Sequence, residues 1–254
     1  MARMPLPKNT VRIVVYVIML ILVIIAALLT HPFRKSEPGS ARNIQSVITK
    51  FNRVYYDSMV WRMTKYLGVP TQQFPSDLWM IQEIITELKP DVIIETGTYH
   101  GGSTLYYADI LDRVNEQGRV ISVDIAPKIE KASAFATFRK RVDVIRGDSV
   151  SPEVISEIAQ RVGSGTVLVT LDSLHTKEHV LKEMNLYSRF VTPGSYLIVQ
   201  DTNINGHPVY PTFGPGPMEA VEEFLKNNRD FEVDRSREKF MLTAYPSGFL
   251  KKTR

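Results

Sequence analysis

Between Val92 and Val199 the chain repeats one pattern, a short apolar run followed by a helix-like segment, and the first run ends in a cluster of glycines. Val92-Ile93-Ile94 is apolar without alternation, as a strand buried on both faces requires. Glu95 closes it, and Gly97, Gly101 and Gly102 follow before a helix predicted to open on Ser103 or Thr104, both good capping residues. A glycine turn between strand and helix start lets backbone approach a nucleotide-like ligand closely. Glu95 is then poised to accept hydrogen bonds from that ligand. Glycine used only for the freedom of a tight turn is the competing explanation.

The later units keep the same form. Strands are predicted at Arg119–Val123, ending in Asp124, and at Val142–Ile145, ending in Gly147-Asp148-Ser149, with a helix over 128–140 between them. Ser151 caps a helix with Pro152 in its first turn. A fourth strand, Thr166–Leu171, ends in Asp172, and a fifth, Ser195–Val199, ends in Gln200-Asp201, with a helix from Lys177 to Phe190 between them. Such βα units predict an α/β fold with a parallel sheet covered by helices on both faces. The tail adds a Gly/Pro-rich loop (206–217), a helix over Met218–Asn227 and strand-like runs at Phe231–Val233 and Lys239–Ala244.

Ahead of the sheet the pattern differs. Residues 1–12 form a basic tail, and from Ile13 to Leu29 the sequence is unbroken apolar, at the lower edge of a membrane-spanning length. We read 13–30 as a single-pass anchor, 31–41 as a linker and 42–254 as the folded domain. A cleaved signal peptide is the alternative for the apolar run. Basic residues flank the run on both sides, so charge does not orient it. Ala41–Leu67 is predicted as an amphipathic helix or helix pair, whose Tyr55, Tyr56, Met59, Trp61, Met63 and Tyr66 either line a substrate mouth or pack on the sheet. A further helix, capped by Ser76 or Asp77, runs to Leu88. The net charge of +4 comes without a basic block interleaved with aromatics, which argues against a nucleic-acid partner. The chain has no cysteine, which excludes disulfides and thiol chemistry.

Ligands of doubly wound sheets bind outside the carboxyl ends of the strands. Glu95, Asp124, Asp148, Asp172 and Asp201 stand at or beside five such ends, a rim of acceptors around a glycine floor. Asp124 occupies the place from which a carboxylate grips ribose hydroxyls. The rim suits a ligand rich in donors better than a phosphate-rich nucleotide, and no Gly-Lys-Ser/Thr loop is present. The spacing Gly97-x-x-x-Gly101-Gly102 departs from Gly-x-Gly-x-x-Gly, which argues against a nicotinamide-dependent oxidoreductase.

Three segments resemble the cephalosporin hydroxylase family: Glu95–Ser103, Leu171–Val180 and Gly194–Pro208, continued through Phe213-Gly214-Pro215-Gly216-Pro217 and Glu219-Ala220-Val221. The resemblance covers roughly residues 42–246. It implies a class I, Rossmann-like methyltransferase that uses S-adenosylmethionine, similar to rhamnosyl O-methyltransferases. It implies Glu95, Gly97, Gly101, Gly102 and Ser103 around the methionine part of the cofactor, Asp124 at the ribose, Asp148 and Ser149 near the adenine, and Asp172 closing the site. The family also binds magnesium through Asp-Ser-Asp-His and Glu-Asp. This chain reads Asp172-Ser173-Leu174-His175 and Gln200-Asp201 there. Leu174 and Gln200 thus replace two expected carboxylates, which weakens a site for a hard cation, with Asp172 and Asp201 left as metal candidates. His175 is the candidate base for an acceptor hydroxyl, with Asp201 in the same catalytic set.

The implied reaction is O-methyl transfer to a small molecule, sugar or lipid-linked sugar, beside a membrane and with the domain facing the cytoplasm; homo-oligomerisation stays open. A module that binds the cofactor but has lost the chemistry is the alternative.

Overall fold

A computed structural model describes residues 38–254 together with Met19. The chain divides into two units, residues 1–47 and 48–254. Apart from Met19, the anchor read at 13–30 lies outside the described residues, as do the tail before it and the linker up to residue 37. Among the described residues no helix is long and apolar enough to cross a membrane.

Helix α1 (Pro38–Asp57) starts in the first unit and ends in the second, where a 3-10 turn (Val60–Met63) follows it. The helix expected to run on to Leu67 is therefore shorter. Leu67 and Gly68 both have positive φ (48° and 84°), and they join β1 (Lys65–Tyr66) to β2 (Val69–Pro70) as a two-residue hairpin loop. Helix α2 (Pro75–Leu88) begins at Pro75, not at Ser76 or Asp77. A proline suits a first turn because its missing N–H would be unpaired there anyway. Asp77 instead accepts a hydrogen bond from the Ala244 amide at 2.8 Å.

The main sheet has the order β5-β4-β3-β6-β7-β9-β8, in which β8 is Phe231–Val233 and β9 is Phe249–Lys252. Its parallel strands are β3 (Val92–Thr96), β4 (Arg119–Asp124), β5 (Val142–Arg146), β6 (Val167–Leu171) and β7 (Tyr196–Val199). From β3 the chain winds outward through β4 to β5, then returns to β6 on the other side. The strand order reverses between β3 and β6, the place where a crevice opens in such sheets. Helices α3 (Gly102–Val114), α4 (Ala136–Arg141), α5 (Pro152–Val162), α6 (Lys177–Tyr187) and α7 (Pro217–Asn227) complete the fold.

Strand alternation divides the core. Val92 and Ile94 face one layer, packed with Ile158 of α5, Met184 of α6 and Phe224 of α7. Ile93 faces the other, with Ile84 of α2 and Leu111 of α3. Burying a side chain of this size contributes roughly 1.5–3 kcal/mol, so the two layers fix the sheet's register and with it the alignment of the strand ends.

Two expectations fail at the periphery. The helix expected over 128–140 is broken into a 3-10 turn at Ala132–Ala134 and the short α4, with irregular residues ahead of and between them. The strand expected at Lys239–Ala244 is absent; β9 lies at Phe249–Lys252, between β7 and β8 (Phe231–Val233) and antiparallel to both. Phe240 and Met241 stay exposed whereas Phe249 and Leu250 are fully buried. A Cβ on Gly248 would lie 2.2 Å from the Val199 carbonyl oxygen, so glycine is what lets this chain segment close on β7.

Candidate active site

A cleft of 820 Å³ lies over the reversal point. Its floor is the β3–α3 turn. Gly97 has φ 92°, and a Cβ there would lie 1.9 Å from the Asp172 carbonyl oxygen, so glycine lets the ends of β3 and β6 meet. Gly102 is equally confined, with Pro70 O 2.3 Å from where its Cβ would be. Helix α3 is capped by Gly101 in a left-handed conformation and opens at Gly102.

Ser103 and Thr104, expected to cap that helix, serve another purpose. Both hydroxyls donate to Glu95, Ser103 at 2.6 Å, and Ser122 donates to the same carboxylate at 2.7 Å. Glu95 is fully buried and is not among the residues lining the cleft. Burial pushes its carboxyl up to about 7, against the lowering pull of the three hydroxyls. Its observed work is to tie the glycine turn to β4 and the start of α3. Gly101 also lies off the cleft, packed toward Ala132 and Phe138.

The remaining candidates line the cleft: Gly97, Gly102 and Ser103 on the floor, Asp124, Asp148 and Ser149 along one side, Asp172, His175 and Asp201 at the other end. Asp124 accepts from the Tyr99 and Ala126 amides, each at 2.7 Å, which fixes the carboxylate at the mouth of the turn. Ser149 is held 3.2 Å from His179 Nε2, which also contacts Ser173 at 3.2 Å. The Glu183 carboxylate, 3.6 Å from His179 Nε2, raises the His179 pKa above its ordinary value, against the effect of burial.

At the other end His175 Nε2 lies 3.1 Å from Asp201 Oδ2 and 4.0 Å from Asp172 Oδ1. Asp201 has φ 54°, an uncommon conformation at a strand end. Burial, then the charges of Asp201 and Glu95, raise the Asp172 carboxyl well above its ordinary range, while a hydrogen bond from Gln73 at 2.7 Å opposes this.

These three side chains can bring ligand atoms within 4.8 Å of one another, a possible cation cluster. The two replaced positions bear on it differently. Leu174 is exposed at the cleft and offers no donor. Gln200 is buried in a polar network, donating to Thr170 at 2.7 Å and accepting from Gln73 at 2.7 Å and from Tyr245 at 2.6 Å. Its amide oxygen is therefore already committed. Two carboxylates and an imidazole form a donor set leaner in anionic oxygen than a hard cation favours.

Gln73 carried no signal in the sequence beyond its loop composition, yet it joins Asp172 to Gln200. The aromatic residues of the lead-in segment divide. Tyr56 and Trp61 line the cleft, with Arg62 beside them and Tyr210 and Phe213 completing the mouth. Tyr55 instead packs edge-on against Phe74, and Tyr66 against Tyr106. Burial raises the Tyr56 phenol, and the charges of Asp201 and Tyr210 add to the effect. His207, between Gly206 and Pro208, does not line the cleft. It contacts Glu219 at 2.9 Å, and the same carboxylate accepts from Asn205 at 2.8 Å and from the Gly216 amide at 2.7 Å. Glu219 thereby ties down the loop that carries Tyr210 and Phe213.

Comparison with known proteins gives this geometry a context. The family model described as Rhamnosyl O-methyltransferase/CmcI matches residues 58–253. A rhamnosyl O-methyltransferase of Mycobacterium tuberculosis (strain ATCC 25618 / H37Rv) is 40% identical over 215 residues, covering 82% of this chain and 86% of that protein. Its counterpart in Mycobacterium leprae (strain TN) is 36% identical over the same length, covering 82% of this chain and 92% of that protein. Among solved structures, apo CmcI superposes with a TM-score of 0.56 at 18% identity, over 75% of this chain and 76% of that one. CmcI with magnesium and SAM gives 0.56 at 17%, over 76% and 78%. At that identity the structural likeness speaks for the fold.

Proposed function

The chain belongs to the Rhamnosyl O-methyltransferase/CmcI family, and we propose that it transfers a methyl group from S-adenosylmethionine to a sugar hydroxyl. The observation that carries this reading is the His175–Asp201 pair, 3.1 Å apart, at the end of a cleft whose floor is the glycine turn. The cofactor fits the rim. Asp124 still has acceptor capacity for ribose hydroxyls beyond its two backbone bonds. Asp148 and Ser149 offer polar atoms to an adenine edge, and Gly97 and Thr98 line the cleft at the methionine end. Glu95 and Gly101 support this end from behind the turn, without lining the cleft.

The cofactor supplies an electrophilic methyl on sulfonium. The protein's part is to hold the acceptor oxygen in line with it, which is worth several kcal/mol of barrier on its own. The acceptor proton passes to His175, with Asp201 orienting the imidazole and stabilising its charged form. A second reading, favoured by the Asp172–His175–Asp201 cluster, places a divalent cation there. The lean donor set and the committed Gln200 argue for the imidazole, and no step is assigned to a metal.

Placement at a membrane is part of the proposal. An anchor at 13–30, supported by the unbroken apolar run Ile13–Leu29, would keep the cleft near a bilayer with the domain in the cytoplasm, where the cofactor is made. A glycolipid or lipid-linked sugar is then the natural acceptor. Incubating the full-length protein with methyl-labelled cofactor and a simple rhamnoside, then analysing products, tests the reaction. Labelled methyl ether is the expected product. Binding of S-adenosylhomocysteine without transfer to any sugar would leave the cofactor-binding module that has lost its chemistry.

A further inference from the structure

The cleft has a second set of residues that the cofactor does not need. Tyr56 and Trp61 stack at 5.4 Å between ring centroids with 23° between planes. The Arg62 guanidinium lies 5.6 Å from the Trp61 ring centroid. From a distant part of the chain, Tyr210 and Phe213 form an edge-on pair at 5.5 Å. All five line the same cleft as His175 and Asp201.

Both pairs are held rather than loose. Trp61 Nε1 donates to the Tyr56 carbonyl at 3.0 Å, which locks the stacked pair. Tyr210 has φ 43°, a strained conformation for a side-chain-bearing residue, and its loop is tied to Glu219 through Asn205 and His207. Tyr210 nevertheless leaves 48% of its surface exposed. Rigid aromatic surface open to a cleft is what a ligand-binding wall looks like.

The chemistry of the wall selects among acceptors. Aromatic faces carry negative quadrupole charge and attract the weakly positive C–H face of a pyranose ring. Arg62 brings hydrogen-bond donors and no acceptor, which suits ring hydroxyls. The Asp201 carboxylate stands at the reacting end beside His175, so an acceptor bearing a carboxylate or phosphate next to its reacting hydroxyl would meet like charge. A neutral sugar satisfies all three conditions.

We infer that the Tyr56–Trp61 and Tyr210–Phe213 pairs form the acceptor subsite, holding a neutral sugar ring so that one hydroxyl meets His175. This rests on the methyltransferase reading above and adds the residues that would set acceptor specificity. The subsite draws on residues other than those of the Gly97–Ser103 turn, so its substitution is expected to act on the acceptor more than on the cofactor.

The test uses the full-length protein with methyl α-L-rhamnopyranoside as the probe. Trp61→Ala should raise the acceptor KM about tenfold, the equivalent of roughly 1.4 kcal/mol, and Trp61→Phe should recover most of it. Affinity for S-adenosylhomocysteine should change by less than about twofold in both. Because Trp79 is the only other tryptophan, a Trp79→Phe background lets Trp61 fluorescence report binding directly. The rhamnoside should shift its emission even in protein that transfers no methyl, which separates failure of the subsite from failure of the reaction. An unchanged KM in Trp61→Ala, an unresponsive Trp61, or a catechol that is methylated in preference to the sugar would each overturn the assignment.

Discussion

His175 and Asp201 lie in the loops that follow the neighbouring parallel strands β6 and β7, and their side chains meet at 3.1 Å. The contact depends on two backbone facts: β6 and β7 pair in register through Leu171 and Val199, and Asp201 takes a left-handed turn immediately after β7. An imidazole beside a carboxylate at the open end of a cleft is suited to receive a proton from a hydroxyl.

Replacing His175 by Asn should lower kcat by about 10²–10⁴ while cofactor affinity holds. Asp201→Asn should cost less, since it removes the orienting charge and leaves the imidazole. Steady-state kinetics beside calorimetric binding of S-adenosylhomocysteine separates the two effects. Equal losses of binding and turnover would mean that the pair is structural.

Gly97→Ala should be poorly tolerated. The new methyl would meet the Asp172 carbonyl, and the positive φ adds strain on the order of 1–3 kcal/mol. We expect a lower urea midpoint together with lost cofactor binding. Gly194→Ala is the control, because its φ of 85° brings strain but its added Cβ meets nothing within 4 Å.

How far the sequence carried is clearest at these positions. The parallel strands and their acidic ends were legible because buried parallel strands are continuous apolar runs with sharp borders. Gly97 was visible as a glycine, but the Asp172 carbonyl pressing on it is a contact across 75 positions of sequence that no local pattern carries. Glu95 was read as facing the ligand; its burial behind the turn follows from Ser103, Thr104 and Ser122 converging on it, which only the three-dimensional fold reveals. The terminal strand was misplaced because Phe240-Met241-Leu242 and Phe249-Leu250 are equally apolar, and the space beside β7 decides between them. Gln73 and Tyr245 carry no local signal, because their contacts with Asp172 and Gln200 are made only by the fold.

The buried carboxyl of Glu95 should leave a pH signature. It is held at about 7 against an ordinary 4.5. As pH rises the unfolded chain loses its proton first, so stability falls between about pH 4.5 and about pH 7 and levels off above. Asp77, also buried and raised to about 7, acts in the same direction. Glu95→Gln should flatten part of this slope and Glu95→Gln with Asp77→Asn more of it, as read by urea midpoints across that range. A slope unchanged by both substitutions would contradict it.

Glu219 behaves in the opposite sense. Although burial works against it, the Gly216 amide, His207 and Asn205 hold its carboxyl down to about 2. Its contribution is therefore present above about pH 4.5 and lost as pH falls toward 2. Glu219→Ala should release the loop bearing Tyr210 and Phe213, raising acceptor KM more than cofactor Kd and lowering stability by about 1.5–3 kcal/mol. Hydrogen exchange over 204–214 reports the loop directly, and unchanged protection there would contradict the assigned role.

Methyl transfer from labelled S-adenosylmethionine to a rhamnoside, measured with and without a chelator, tests the proposed reaction most directly. Wild-type protein should produce the methyl ether at a rate the chelator leaves nearly unchanged, and His175→Asn should lower that rate by about 10²–10⁴ in either condition. No methyl ether from wild type would contradict the reaction itself, and a rate that collapses with chelator and returns with magnesium would replace His175 as the base with a metal held by Asp172 and Asp201.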